Sequence, residues 1–217
     1  MGILQIDPLL MLPGLLFAVV CHEYAHALFA KLGGDMTATY QGRLSFNPLV
    51  HIDPVGTVIV PLVLLIMKSP FLIGWAKPVP INPLKFRKPG WDVVVSLAGP
   101  GSNFALVIAA GIVLKFLLLV NIAAPTVLLQ ILVNFIFINV LLGCFNLIPI
   151  PPLDGSHVLF HYVAKGSSSA MQSFAFLEQY GFLILIVLLF MTPFGDLFFG
   201  GIVGNIYLFI IRLIVFG

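Results

Sequence analysis

Residues 9–32 read LLMLPGLLFAVVCHEYAHALFAKL, an apolar run interrupted only by the cluster HEYAH at 22–26 and by Lys31. The run is long enough for a membrane-spanning helix, which needs about 20 apolar residues. An acid or a base at the bilayer centre costs roughly 2.5–3.5 kcal/mol on insertion scales. Such side chains are expected to face inward and to bind something, so this cluster is the first candidate for a functional site.

The spacing within the cluster is typical of a zinc site. His22 and His26 are four residues apart, so on a helix their side chains share one face and lie about 6 Å apart. Glu23 projects towards the same side. The pattern His-Glu-x-x-His is that of zinc metalloproteases, in which two imidazoles hold the ion and the glutamate takes a proton from water. One alternative is that the three side chains only hydrogen-bond to neighbouring helices.

The composition is that of a membrane protein. Of the 217 residues, 60% are hydrophobic and 8% are charged, and the mean hydropathy is +1.15, well outside the range of ordinary globular domains. A net charge of +2 is too small to indicate a nucleic-acid partner. Cys21 and Cys144 lie in apolar segments, which favours free buried thiols over a disulfide. No stretch is long and polar enough for an attached soluble domain.

Hydropathy predicts an α-helical polytopic membrane protein with four to six transmembrane helices. The predicted spans cover residues 9–31, 92–120, 126–144, 176–191 and 202–216. Between the first two spans, residues 35–53 alternate in polarity around Gln41-Gly42, which predicts a short membrane-associated β-hairpin. Residues 74–90 contain four prolines and are predicted to be extended.

The distribution of basic residues predicts the orientation. Five of the ten Lys and Arg residues lie between 68 and 90, which indicates a cytoplasmic loop. The predicted hairpin, with Arg43, is expected on the same side. The short segment 54–71 would then be re-entrant, which its prolines allow where protein lines a cavity. We therefore expect an integral protein of the cell membrane, with its active site in the cytoplasmic half.

A catalytic zinc ion needs a third protein ligand, and residues 146–155, NLIPIPPLDG, offer one. Three prolines in four positions exclude a regular helix, and irregular backbone at membrane depth is tolerated only around a cavity. Asp154 would complete a set of two histidines and one acid, with a fourth position open for water. The alternative is an ordinary turn in which Asp154 is a cap. His157 and His161 share the i,i+4 spacing, but no glutamate follows His157.

These motifs resemble the site-2 protease family (peptidase M50) of intramembrane zinc metalloproteases, in particular its small bacterial and archaeal branch without PDZ or CBS domains. HEYAH matches the family's HExxH, residues 146–155 resemble its Asn-x-x-P-x-P-x-LDG element, and GPGSN at 99–103 resembles its Gly-x-x-x-Asn motif. The resemblance implies one intramembrane metalloprotease domain over residues 1–217. Its core would be about 10–165, with accessory helices at 176–217.

The resemblance also implies roles for matching residues. His22, His26 and Asp154 would bind one Zn²⁺ per chain, Glu23 would be the general base, and Asn146 would steady the oxyanion. The hairpin and residues 74–83 would offer a β edge to an unwound transmembrane substrate. Residues expected to contact that substrate are Asn103, Pro152, Ile81 and Asn82. The resemblance leaves the identity of the membrane-protein substrate and the oligomeric state open.

Two rival functions use the same residues. A transporter for a divalent metal or for protons would also place His, Glu and Asp within the membrane. Such a path should carry polar side chains at several depths, whereas Lys115, Asn134, Asn139 and Asn205 are scattered singly. A catalytically silent scaffold would keep zinc in a closed site of four ligands, and the sequence offers three good ones.

Overall fold

The computed structural model describes residues 8–67, 74–120, 125–163 and 168–216. Within these ranges the chain is mostly helical and no β-strand occurs. The helices are α1 (Pro8–Gly33), α2 (Thr37–Tyr40), α3 (Val60–Ile66), α4 (Trp91–Leu119), α5 (Thr126–Asn146), α6 (Asp154–Val163), α7 (Ser168–Met191), α8 (Phe194–Asp196) and α9 (Gly204–Phe216). Short 3₁₀ turns cover Pro48–His51 and Pro83–Lys85, and wide π-type turns cover Pro54–Ile59 and Leu197–Val203.

Five helical stretches in the described part of the chain are long and apolar enough to cross a membrane. They are Met11–Gly33, Trp91–Leu119, Thr126–Asn146, Met171–Met191 and Phe194–Val215. The number falls within the predicted four to six, and the prediction of a helical polytopic membrane protein is confirmed. The last stretch joins α8, a wide turn and α9 into one apolar element.

Helices α1, α4 and α5 form the centre of the molecule, and α6 packs against α4. The buried apolar core joins α4 and α5 to α7 and to the final stretch, for example through Leu185 and Phe198. Small residues let helices approach closely, as is common in membranes. Gly14 of α1 faces Phe135 of α5, and Gly111 of α4 faces Ile214 of α9. The last two spans therefore pack against α4 and α5 and support these central helices.

The predicted β-hairpin over residues 35–53 is wrong. The segment forms the single-turn helix α2 and the 3₁₀ turn Pro48–His51, with irregular backbone between them. The cause is local, because the Asp35 carboxylate accepts bonds from both the N–H and the hydroxyl of Thr37. Such side-chain bonds start a helical turn in place of a strand. The alternating polarity at Thr37 and Thr39 therefore does not reflect strand pairing.

The chain between α2 and α4 folds back on itself. It leaves through the turn Pro54–Ile59 and α3, and by Trp75 it has returned beside Gly56. The Trp75 N–H donates to the Gly56 carbonyl at 3.2 Å, and the Thr57 hydroxyl donates to the Trp75 carbonyl at 2.8 Å. The two ends of this segment thus lie together, as a re-entrant segment requires. Residues 68–73, which include part of the predicted re-entrant segment, lie outside the described residues.

Residues 74–82, which we call the strap, are extended and cross the C-terminal half of α1. Val79 is buried in a small apolar cluster with Ala27 of α1 and Ala38 of α2. At its far end the Asn82 N–H donates to the Asp35 carboxylate at 2.6 Å. The strap and the segment between α1 and α3 therefore form one layer over the end of α1.

Candidate metal centre and active site

Three predicted ligands from two distant segments meet at one point. The Asp154 Oδ2 atom lies 3.1 Å from His22 Nε2 and 3.2 Å from His26 Nε2. The two Nε2 atoms are 3.0 Å apart. Both histidines are buried. Among the described residues, these three form the only group of His, Cys, Asp or Glu side chains suited to hold a metal ion.

Hydrogen bonds fix which imidazole nitrogens carry protons. The His26 Nδ1 atom lies 2.8 Å from the Val95 carbonyl, which can only accept, so Nδ1 is the donor. The His22 tautomer is set by the orientation of two side-chain amides, those of Asn103 and Asn139. Asn139 donates to the Phe135 carbonyl, so its oxygen faces Asn103 and accepts from the Asn103 nitrogen.

The Asn103 oxygen is thereby left to accept from His22 Nδ1 at 2.7 Å. Both imidazoles therefore present an unprotonated Nε2 to Asp154, which is the tautomer that metal ligands adopt. Three lone-pair atoms about 3 Å apart repel one another unless a cation lies between them. Bonds of about 2.0 Å in a tetrahedron require ligand atoms about 3.3 Å apart, so the spacing fits zinc.

Gly99 of α4 leaves the space that this group needs. A Cβ atom at Gly99 would overlap the Nε2 atoms of both His22 and His26. Gly99 is four residues before Asn103, so the two residues share one helix face. On this face Gly99 lies against the two imidazoles, and Asn103 bonds His22. Sequence reasoning quoted this motif but gave Gly99 no role, although its spacing from Asn103 was a usable signal.

Asn103 is fully buried. Its two amide atoms bond His22 and Asn139. The structure therefore favours an orienting role for Asn103, in place of the expected contact with substrate. Asn139, which the sequence presented as an isolated polar residue, is the next link in the same network.

The loop before α6 delivers Asp154. Gly155 is buried, and a Cβ atom there would overlap the Leu147 and Ile148 carbonyls, so only glycine lets α6 begin against this turn. Asp154 is the first residue of α6. Its Oδ2 atom nevertheless lies within 3.2 Å of both imidazole Nε2 atoms, so it does more than the cap of an ordinary turn.

Glu23 lies between the ligands and the strap. Its Oε2 atom accepts a hydrogen bond from the Val79 N–H at 3.1 Å, and its side chain is partly buried. No sequence pattern indicates this contact, because Val79 contributes only its backbone N–H.

The other predicted residues lie apart from the three ligands in their described contacts. The Asn146 amide donates to the Leu142 carbonyl of its own helix at 3.0 Å. The Asn82 side chain accepts from the Leu84 N–H at 3.1 Å, capping the next turn. Ile81 is 37% exposed, and Pro152 is also exposed.

The remaining histidines have other surroundings. His161 pairs with Asp92 at the start of α4, whereas His157 is exposed. His51 is buried and its Nε2 atom donates to the Ser45 carbonyl at 2.8 Å. The structure therefore gives His51 a role in holding the layer over α1.

Comparison with known proteins agrees with this geometry. The model of peptidase family M50 matches residues 118–190, which include the third-ligand segment. A Bacillus subtilis (strain 168) protein named "Putative zinc metalloprotease YwhC" is 39% identical over 203 residues, covering 87% of this chain and 85% of that protein. This chain belongs to peptidase family M50. The predicted family is confirmed, and the protein is a zinc metalloendopeptidase.

Two less similar proteins cover nearly the same share of this chain but a smaller share of their own length. A Mycolicibacterium smegmatis protein named "Putative zinc metalloprotease Rip2" is 30% identical over 85% of this chain and 68% of its own length. Rip2 of Mycobacterium tuberculosis (strain H37Rv) is 27% identical over 88% of this chain and 70% of its own length. No solved structure matches the chain.

Proposed function

We propose that this M50 peptidase cuts membrane proteins within or beside their transmembrane segments. The observation that carries the proposal is the depth of the three ligands. His22 is eleven residues from each end of the apolar stretch Met11–Gly33, or about 16 Å along a helix. Since the hydrocarbon core is about 30 Å thick, a peptide bond must enter the membrane to reach these side chains.

His22, His26 and Asp154 would hold the zinc ion, with Asn103 and Val95 keeping the imidazoles in the required tautomer. Zinc supplies the acidity that makes water a nucleophile near neutral pH and polarises the peptide carbonyl. Glu23 would accept the proton of the attacking water and return it to the leaving amine. Asn146 would steady the oxyanion after its amide releases the Leu142 carbonyl.

The strap limits where an extended substrate can pair. The N–H groups of Trp75, Lys77 and Val79 are all bonded within the protein, and Pro78 and Pro80 have none. The strap therefore offers no continuous β edge of the kind that the resemblance implied.

Beside Glu23, the Val79 carbonyl and the Ile81 main chain have no partner in the described part of the chain. We place substrate pairing at these groups, next to the catalytic base. Edge pairing over so short a stretch would hold one or two residues of an unwound helix and leave the rest of the substrate in lipid.

The basic residues between 77 and 88 support a cytoplasmic location for this end of α1. The Arg87 N–H donates to the Gly33 carbonyl at 2.8 Å, which ties the basic segment to the end of α1. By the bias of basic residues towards the cytoplasm, this end would be inside. His26 is seven residues, or about 10 Å, from Gly33, so the metal would lie in the cytoplasmic half.

The test is Glu23→Gln in the purified protein, assayed on a panel of fluorescent single-span peptides in liposomes. Zinc content should stay at one per chain while cleavage falls about 10²–10⁴-fold, the usual range for a lost general base. Glu178→Gln is the matched control, since Glu178 is exposed on α7 and is the only other glutamate. A zinc-loaded Glu23→Gln protein that cuts as well as wild type would remove the proposed mechanism.

A further inference from the structure

Arg43 is a buried cation whose described partners are backbone carbonyls. It is 5% exposed, and its Nη2 atom donates to the Lys77 carbonyl and, at 3.3 Å, to the Pro78 carbonyl. Among the described residues no carboxylate pairs with it, and its Nε atom has no partner. Burying a charge without a carboxylate partner is costly. Arg43 nevertheless holds two carbonyls of the strap.

The two carbonyls lie directly before the contact with Glu23. The Pro78 carbonyl and the Val79 N–H belong to one peptide group, which is planar and rigid. Arg43 contacts the oxygen of this group, and Glu23 Oε2 accepts from its N–H at 3.1 Å. A cation on the oxygen polarises the group and strengthens the donor on its other side. The orientation of Glu23 is therefore coupled to Arg43 through a single peptide plane.

We propose that Arg43 is a positioning residue for peptide hydrolysis, fixing the Pro78–Val79 peptide so that its N–H holds Glu23 Oε2 and leaves Oε1 for the reacting water. The proposal rests on the assignment of Glu23 as general base. Packing alone would keep the strap near its place, since Val79 is buried against Ala27 and Ala38. Arg43 would fix the orientation of the Pro78–Val79 peptide within that place.

The test compares Arg43→Gln and Arg43→Lys with wild type in the same liposome assay. Displacement of a catalytic group by about 1 Å can cost about 10²-fold. We expect kcat to fall about 10- to 100-fold in Arg43→Gln, with KM within about twofold and zinc retained. Arg43→Lys, which can still donate to one carbonyl, should recover most of the loss. Lys88→Gln, which removes an exposed charge, is the control.

Hydrogen exchange gives a readout that does not depend on activity. In wild type the amides of Lys77 and Val79 are bonded, to His51 and to Glu23. Arg43→Gln should accelerate exchange in the peptide spanning 75–82, whereas Lys88→Gln should not. If Arg43→Gln does not fold, Val79→Pro and Val79→Ala replace it. Both remove the branched valine side chain, but only proline also removes the N–H, so Val79→Pro should lower kcat about tenfold or more relative to Val79→Ala.

Three results would overturn the proposal. They are wild-type kcat in Arg43→Gln, unchanged exchange at 75–82, and activity that is lost only in step with zinc. Failure of the proposed function is a separate result, in which wild type cuts no peptide in the panel. The exchange data would then decide by themselves whether Arg43 holds the Val79 amide.

Discussion

The metal centre and the strap satisfy their polar groups in opposite ways. At the metal centre the backbone is helical and bonds itself, so His22, Asn103 and Asp154 can direct their side chains at one another. In the strap the backbone has no strand partner, and apart from the Trp75 and Lys77 amides its bonds run mainly to side chains. Glu23 takes the Val79 N–H, and Arg43 takes the carbonyls just before it.

This difference predicts different sensitivities. Three acceptor atoms that converge without a donor depend on a cation, so the metal centre should respond mainly to changes in ligands and in the space around them. A strap bonded by Arg43 and by the Asp35 carboxylate should respond to the loss of these charges and, through Asp35, to pH. Glu23 lies beside the metal ligands and also bonds the strap, so a substitution in one region is expected to affect the other through Glu23.

The largest effect should come from Asp154→Ala. The two imidazoles would lose the anionic ligand, so zinc should fall from one per chain to near zero and cleavage should be undetectable. Zinc analysis of the purified protein by atomic absorption measures this. Asp196→Ala, an exposed acid on α8, is the control. Full zinc content in Asp154→Ala would show that the ligand set is wrong.

Gly99→Ala tests the space around the ligands. Its Cβ would overlap both Nε2 atoms, and overpacking of this kind costs typically 1–3 kcal/mol, so zinc affinity should fall about 100-fold at most. Gly101→Ala, two residues along the same helix, meets nothing within 4 Å and should bind zinc normally. Competition with a chelator measures both variants. Equal affinities would mean that α4 does not confine the ion.

Asn103→Leu tests the orienting network, which is one contact further from the metal. It leaves the His22 Nδ1–H and the Asn139 oxygen without partners, and losses of this kind lower metal affinity about 10-fold or somewhat more. Asn134→Leu is the matched control, because the Asn134 amide is buried and has no partner in the described part of the chain. That control should be neutral or stabilising. If Asn134→Leu lowered zinc affinity more than Asn103→Leu, Asn103 would have no part in orienting the metal ligands.

The smallest effect concerns Asp35 and is visible only through pH. Burial alone would raise the pKa of Asp35, but hydrogen bonds from Asn82 and Thr37, with Lys85 nearby, hold that pKa below its ordinary value. Because the folded-state pKa is depressed, the stabilisation is present above the ordinary value near 3.8 and is lost as pH falls through the folded-state value.

Asp35→Asn should therefore lower the Tm by about 2–4 °C at pH 7, and the difference from wild type should shrink below pH 4. Thermal unfolding in detergent at the two pH values measures this. A difference that persists unchanged in acid would assign the effect to lost packing. Asp53→Asn is the comparison variant, because the Asp53 carboxylate also accepts the N–H two residues further on but has no described contact with the strap.

Sequence reasoning was most specific where the signal was local. Three ionisable groups in an apolar helix pointed to His22, Glu23 and His26, and an isolated acid among prolines pointed to Asp154. It failed for residues 35–53, where the Asp35 side chain starts a helical turn that alternating polarity cannot reveal. It also did not predict the bonds of Asn103 to His22 and Asn139, because the partners of an amide depend on the side chains that packing brings against it.

By itself, the sequence determined the helical membrane architecture and the spacing of the paired imidazoles, because apolar length and i,i+4 spacing are properties of neighbouring residues. Only the tertiary structure decided that Asp154 reaches the imidazoles, that Gly99 leaves them room and that a strap amide holds Glu23. These contacts join residues tens of positions apart, and the last involves a backbone N–H that every residue except proline carries.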